Sequence, residues 1–275
     1  MIQIRPTSQV IIWIFLLFLL LLSFIPVIMM IFMSFKDNAQ IYGNFWGLPS
    51  PWKFGNYLAA FNAIKGYIKN SIIASTLALI GVLILSSMAG YVFARRWFPG
   101  KEIIFYAILS LMMIPGILTL IPSYVLVYQL GLVNTRWVLI LPWISGGQVF
   151  GILLCRSFFS TLPQELFDSA QIDGANEFQL YSKIAVPLSY PIMVTLAIMN
   201  FNGTYNDFIW PLITISDTKL QVVTVGLRTF VSEYGITDMG PQLAAYGISA
   251  LPLVIIFLFG MRYYIQGIIA GALKA

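Results

Sequence analysis

The chain contains no histidine and a single cysteine, Cys155. That closes the common routes to chemistry: there is no triad, no imidazole ligand or relay, no disulfide framework and no multi-cysteine metal site. Two groups of polar residues remain whose types and spacing could act. The first lies in Thr161–Pro187, where Glu165, Asp168 and Asp173 lead up to Gly174. Pro163 suits a first helical turn, where its missing N–H leaves no bond unmade. Glu165 then lies near the positive end of the helix dipole. Leu162, Leu166 and Ala170 recur every four residues as one apolar stripe. Gly174 is able to take φ > 0 and end that helix, and Asn176 with Gln179 three residues on reads as a capping box opening a second one. Two short helices about a bend, carrying carboxylates, form a knob that a groove on a soluble partner accepts and through which rigid-body motion passes. The competing reading is a solvated amphipathic loop lying on a membrane.

The second group is Asn202 and Asn206, spaced i, i+4 and therefore on one helical face, with Tyr205 beside them. Gln148, next to Gly146 and Gly147, is a weaker member. Amides beside aromatic rings suit a sugar, whose hydroxyls both donate and accept and whose C–H faces stack on rings. Polar contacts that hold helices together are the alternative reading.

The elements that position these groups follow from composition. Of 275 residues, 59% are hydrophobic and 9% charged, against about 45–50% and about 25% in soluble domains. Such a chain lacks the polar surface of a soluble enzyme, and its scattered +5 charge is no phosphate-binding footprint, so nucleic acid is excluded as a partner. Six stretches are long enough to cross a bilayer, which takes about 20 helical residues: Val10–Met33, Ser71–Ala94, Ile103–Tyr128, Trp137–Cys155, Ile184–Tyr205 and Leu243–Met261. In lipid every backbone group must be satisfied internally, so the spans are helices. The first is longer than a signal core and no Ala-x-Ala site follows it, which favours a retained anchor.

Six crossings place both termini on one side. Basic residues divide almost evenly between the two sides, and the Arg95-Arg96…Lys101 cluster in a short loop tips the balance towards cytoplasmic termini. The expected organisation is an N-terminal helix with an outer loop (1–70), a transmembrane core (71–265) containing the loop 161–187, and a cytoplasmic tail (266–275). The outer segments Ser34–Asn70 and Asp207–Gln242 are long enough to be functional or disordered; Gln221–Leu227 suggests one short ordered piece. Small residues at Ser71, Ser75, Gly81, Ser86, Ser87 and Gly90 read as close helix packing. Trp13, Trp97, Trp137, Trp210, Tyr263 and Tyr264 fit an interfacial belt.

The run Asp168-Ser169-Ala170, then Gly174, then Ile184-x-Val186-Pro187 resembles the EAA loop of binding-protein-dependent ABC importer permeases, E-A-A-x3-G-x9-I-x-L-P. Asp replaces Glu, Ser the first Ala, and Val the Leu. Further segments are similar to the maltose-type, MalG-like branch: Gly90-Tyr91…Ala94-Arg95…Phe98-Pro99-Gly100, Met113…Pro115-Gly116…Pro122, Gly131-Leu132…Asn134-Thr135…Pro142, Asn206-Asp207-Phe208…Trp210-Pro211, and Gln266-Gly267…Gly271-Ala272. The resemblance covers most of the chain from about Asn56 onward.

The resemblance implies an all-α integral membrane protein of the type I importer permease (MetI-like) fold. It implies pairing with a homologous second permease, two ATP-binding cassette subunits docking below and an extracytoplasmic solute-binding protein above. The loop helix is then a coupling helix, with Glu165, Asp168, Ser169, Ala170, Asp173 and Gly174 as its coupling positions, moving a sugar, oligosaccharide or polyol inward by alternating access. The outer segment Asp207–Gln242 would face the binding protein. The residues agree on one point: no G-x-x-x-x-G-K-[ST] run is present, so ATP and Mg belong on partner subunits and this chain binds no cofactor. No ionisable residue lies mid-span, which speaks against a proton-coupled carrier. The alternatives are a channel or ion-coupled carrier, and an ABC permease for a non-sugar solute; an integral-membrane enzyme lacks any polar constellation at the right depth.

Overall fold

The computed structural model describes the backbone of residues 6–234 and 238–272, and side chains over 9–228 and 238–262. Among the described residues every regular element is helical. In chain order these are α1 (Pro6–Ser34), α2 (Asn38–Gly43), α3 (Gly55–Arg95), α4 (Lys101–Ser110) running into a 3₁₀ turn (Leu111–Met113), α5 (Gly116–Gln129), α6 (Trp137–Phe159), α7 (Gln164–Ile172), α8 (Glu177–Gln179), a π-helical turn (Leu180–Ala185), α9 (Val186–Leu188), α10 (Tyr190–Tyr205), α11 (Ile209–Thr214), α12 (Val223–Tyr234) and α13 (Met239–Ala272).

Among the described residues four helices are long and apolar enough to cross a membrane: α1, α3, α6 and α13. The third and fifth expected spans are broken rather than straight. The α4–3₁₀ segment meets α5 at 100°, and the Glu177–Leu188 segment meets α10 at 76°. The first break falls at Pro115, which supplies no N–H to continue the ladder and sits at the N-cap of α5. The second falls at Ser189, which closes the three-residue α9 after the π-helical turn and directly precedes Tyr190-Pro191.

The chain divides into two compact units, residues 1–65 with 227–251, and 66–226 with 252–275. In the first unit, the expected long loop after α1 is partly helical. Asp37 caps α2 in a capping box with Gln40 and pairs with Lys53 at 3.1 Å. The bond from the Gln40 backbone N–H, aided by Lys53, holds the Asp37 carboxyl below its ordinary range. Lys36 is 1% exposed, and its ammonium donates to the carbonyls of Asn44 (2.8 Å) and Phe45 (3.1 Å), at the negative end of α2. Phe35 gathers Trp52, Phe54 and Tyr57 around it at centroid distances of 4.7–5.3 Å.

The second unit is organised by α3 against α6. A Cβ at Gly90 would lie 2.5 Å from Cys155 Cβ and 3.0 Å from the Arg156 backbone nitrogen; one at Gly151 would meet Ser86 Oγ at 2.3 Å, and one at Gly147 would meet Val82 at 2.8 Å. These are the close approaches that the small residues of α3 lead one to expect. The expected outer loop after α10 is ordered as α11 and the start of α12: Asn134 accepts from the Ser216 and Asp217 backbone N–H groups, and Asn70 donates to the carbonyls of Lys219 and Gln221. Trp13, Trp97 and Trp137 are exposed, as an interfacial belt requires, but Trp210 is buried and donates its indole N–H to Val138 O at 2.8 Å. It packs in the core instead, because α11 folds back onto α6. The expected tail reaches beyond the described residues at 273–275, the side chains of Tyr263 and Tyr264 lie outside them, and so does part of the Asp207–Gln242 segment.

Candidate functional site

The loop between α6 and α10 forms as a bent pair of helices. Glu165 occupies the first turn of α7, and Pro163 is its N-cap, one position before the helical turn expected for it. Gly174 adopts φ 84° and closes a Schellman motif: the Ala175 N–H donates to Ala170 O (2.9 Å) and the Gly174 N–H to Gln171 O (3.0 Å). Asn176 and Gln179 then exchange both bonds of the capping box, at 2.9 and 3.0 Å.

The apolar stripe differs from expectation in phase. Phe167 is 3% exposed and anchors α7, whereas Leu166 is 44% exposed. Leu162 and Ala170 do pack inward, beside Phe167, Tyr91, Phe159 and Leu180. A larger ring at position 167 takes the inward slot because aromatic Tyr91 and Phe159 wait there; Tyr91 lies 6.4 Å from the Phe167 ring and 6.2 Å from that of Phe159. The outward surface therefore carries Glu165, Leu166, Asp168, Ser169, Ile172 and Asp173, with Gly174 and Phe178 beyond the bend. Ile172 is 87% and Phe178 70% exposed. Apolar side chains ringed by carboxylates are thus left in the open on this face.

The end of α3 holds this loop from behind. Arg95 donates to Gln164 Oε1 at 3.0 Å and to the Leu162 carbonyl, and its guanidinium lies 4.3 Å from the Phe167 ring centroid. Arg96 pairs with Glu177 at 2.6 Å. About two turns up α3, the hydroxyls of Ser87 and Tyr181 are 2.7 Å apart. Arg156, at the end of α6, makes a pair of bonds to Glu102 at 2.7 and 2.8 Å. None of these holding residues was singled out by sequence as a site, although the Arg95-Arg96 doublet was visible as charge.

Inside the same unit, two neighbouring hollows of about 360 and 750 Å³ share Pro142, Gly146 and Asp207 in their linings. The smaller is lined by Trp143, Gly147, Asn200, Gly203 and Thr204, the larger by Thr119, Ser123, Ser145 and Trp210 among apolar neighbours. Asp207 accepts the Trp143 indole N–H at 2.7 Å, and its carbonyl accepts the Thr224 hydroxyl at 2.6 Å. The Asn200 amide oxygen is buried with no partner among the described residues.

None of the residues expected on the solute path lines these two hollows. Asn202 and Asn206 are exposed and bond to each other at 2.9 Å on the opposite face of α10; Asn202 borders a separate apolar hollow with Leu253, Val254 and Phe257 of α13. Tyr205 is buried and stacks on Phe201 at 5.6 Å. Gln148 does not line either hollow of the neighbouring pair. The polar residues that do line the smaller hollow include Asn200 and Thr204, spaced i, i+4 on α10, and Asp207 just past its end.

Among the described residues the chain is all helical and carries several apolar helices of membrane length, as a multi-pass membrane protein does. Residues 83–270 match the family described as binding-protein-dependent transport system inner membrane component. The chain belongs to this family of ABC importer permeases, and it is a transport subunit, not an enzyme. It is 32% identical over 254 residues to the diacetylchitobiose uptake system permease NgcG of Streptomyces coelicolor, covering 91% of this chain and 84% of that protein. It is likewise 32% identical over 258 residues to the trehalose/maltose transport system permease MalG of Thermococcus litoralis, covering 90% and 91%. A solved bacterial ABC transporter involved in alginate import shares the fold, with a TM-score of 0.80 at 19% identity over 94% of this chain and 96% of that one.

Proposed function

We propose that the chain is the permease subunit of an importer for a sugar, oligosaccharide or related polyol, working in the cytoplasmic (inner) membrane beside a homologous second permease. Two ATP-binding cassette subunits, which carry ATP and Mg, dock on the surface of α7 through Glu165, Asp168, Ser169, Ala170, Asp173 and Gly174. An extracytoplasmic solute-binding protein delivers cargo on the opposite side. The carbohydrate class is supported by the two relatives above, both of which are carbohydrate permeases.

Six crossings with cytoplasmic termini fit the second unit's own contacts. Glu102 at the start of α4 bonds Arg156 at the end of α6, and Arg96 bonds Glu177, so the starts of both bent pairs lie at the coupling-loop end. At the other end, Asn134 between α5 and α6 bonds Ser216, just beyond α11. Each bent pair thus runs from one end of the unit to the other, as a single crossing with a break does. A break at membrane depth is tolerated where the freed groups line a cavity, and Gly116 and Thr119, just beyond Pro115, do line the larger hollow. The cargo passes beside Trp143, Asn200 and Asp207, where an indole, an amide and a carboxylate offer a stacking face and hydrogen-bond partners to hydroxyls.

The observation that carries this reading is the Gly174-hinged loop, which turns Phe167 inward and leaves Ile172 and the carboxylates outward. Purification in mild detergent tests it: ATP-binding subunits co-purify with the unaltered chain and are lost with Ile172→Asp, whose exposed position spares the fold. Undiminished co-purification and uptake in that variant contradict docking through α7.

A further inference from the structure

Arg95 and Arg96 are consecutive, yet they grip different halves of the bent loop. Arg95 holds the first half, before Gly174, through the Leu162 carbonyl, the Gln164 side chain and the Phe167 ring. Arg96 holds the second half, after Gly174, through Glu177 at 2.6 Å, and it reaches the Tyr91 hydroxyl of its own helix at 3.3 Å. The end of α3 therefore spans the Gly174 bend, and any change of angle between α7 and α8 must pull on it. Above this grip, α3 is seated against α6 without slack. Gly90 abuts Cys155 and the Arg156 backbone, Gly81 abuts Ile144, and Val82 abuts Gly147. Gly147 itself lines the hollow that contains Trp143 and Asp207. Packed backbones this close move as one body, because a gap of even half an ångström forfeits much of the contact energy.

We propose that Arg95 and Arg96 are positioning residues that relay motion of the docked loop into α3, and through the glycine contacts into the α6 wall of the cavity. This deepens the reading that α7 docks an ATP-driven partner, and it rests on that reading. The arginines touch neither cargo nor nucleotide; they set how faithfully loop movement reaches the cavity. Arg95 needs its planar fork for this, since a lysine offers a point charge that cannot bond two acceptors and stack on Phe167 at once.

The test uses the complete importer reconstituted in vesicles, with transport per ATP hydrolysed as the readout. Arg95→Lys, Gln164→Leu and Arg96→Glu each lower that ratio by about fivefold, the scale of a single coupling contact, while ATP-binding subunits still co-purify and hydrolyse ATP. The exchanged pair Arg96→Glu with Glu177→Arg restores the ratio to within about twofold, as a direct pair requires in a double-mutant cycle. An unchanged ratio in Arg95→Lys and Arg96→Glu overturns the relay, and so does an exchanged pair no better than either single variant. Loss of the ATP-binding subunits from the arginine variants also overturns it, by placing both residues in docking. The reading beneath it fails separately, through Ile172→Asp retaining those subunits.

Discussion

The loop around Gly174 joins α6 to α10, two helices that line the hollow around Asp207, but loop and hollow are fixed by different forces. The loop lies beyond the apolar spans, and its shape comes from short-range bonds: a Schellman motif, a capping box and a pair of arginines reaching from α3. The hollow lies among the spans, and its shape comes from what neighbouring helices leave unfilled at Gly146, Gly147 and Gly203. Shape made by local bonds is written in a few adjacent residues. Shape made by packing depends on which face each helix turns to its neighbours, and in a membrane both faces are apolar.

The largest expected effect separates the inward from the outward side of α7. Phe167→Ala removes a buried ring and costs about 3–5 kcal/mol of local stability, and uptake falls with it. Leu166→Ala, on the exposed side, changes stability by less than about 0.5 kcal/mol. Protease protection of the loop in detergent compares the two. Equal losses from both would return the stripe to the Leu162–Leu166–Ala170 phase that the spacing alone indicates.

That comparison also shows what was legible. The bend at Gly174 and the cap at Asn176 could be read because each depends on residues within five positions. The phase of the stripe could not, because it turns on Tyr91 and Phe159 being in place to receive a ring. The breaks at Pro115 and Ser189 were hidden for a related reason: a proline inside an apolar run reads equally as a tolerated kink, and only the 100° and 76° angles distinguish a broken crossing. The helical start of α3 at Gly55 was missed because its first turns carry the polar residues Asn56 and Asn62, and a search for unbroken apolarity stops short of them.

Packing inside the second unit predicts the next effect. Gly90→Val places new atoms against the Arg156 backbone nitrogen, which cannot step aside, at a cost of about 1–3 kcal/mol. The thermal midpoint of the purified complex should fall accordingly. Gly146→Ala meets nothing within 4 Å and should leave the midpoint where it was. Identical behaviour of the two variants would remove the α3–α6 contact from the account of how the cavity wall is held.

Gly174 probes the loop by another route, since no neighbour crowds it and only its φ of 84° demands glycine. Gly174→Leu costs about 1–2 kcal/mol of backbone strain, enough to unseat the bend. Gly174→Pro also removes the N–H that bonds Gln171 O. Both variants should insert into the membrane at normal levels and lose transport. Normal uptake would take the bend out of the mechanism and leave the docking surface to α7 alone.

The smallest effect is the one that decides between the two faces of α10. Asp207→Asn preserves an oxygen for the Trp143 indole and so preserves the wall of the hollow. It removes a charge that accepts from sugar hydroxyls more strongly than an amide does. One such bond is worth about 1 kcal/mol, so the apparent KM for uptake should rise about fivefold, with maximal rate little changed. Asn202→Ala, on the face that meets α13, should leave KM alone, because Asn202 is exposed and its amide oxygen is already engaged by Asn206. The reverse pattern, a shifted KM in Asn202→Ala and none in Asp207→Asn, would move the cargo path back to the face that the amide pair marks in the sequence. The hollow beside Trp143 would then be a packing gap between helices.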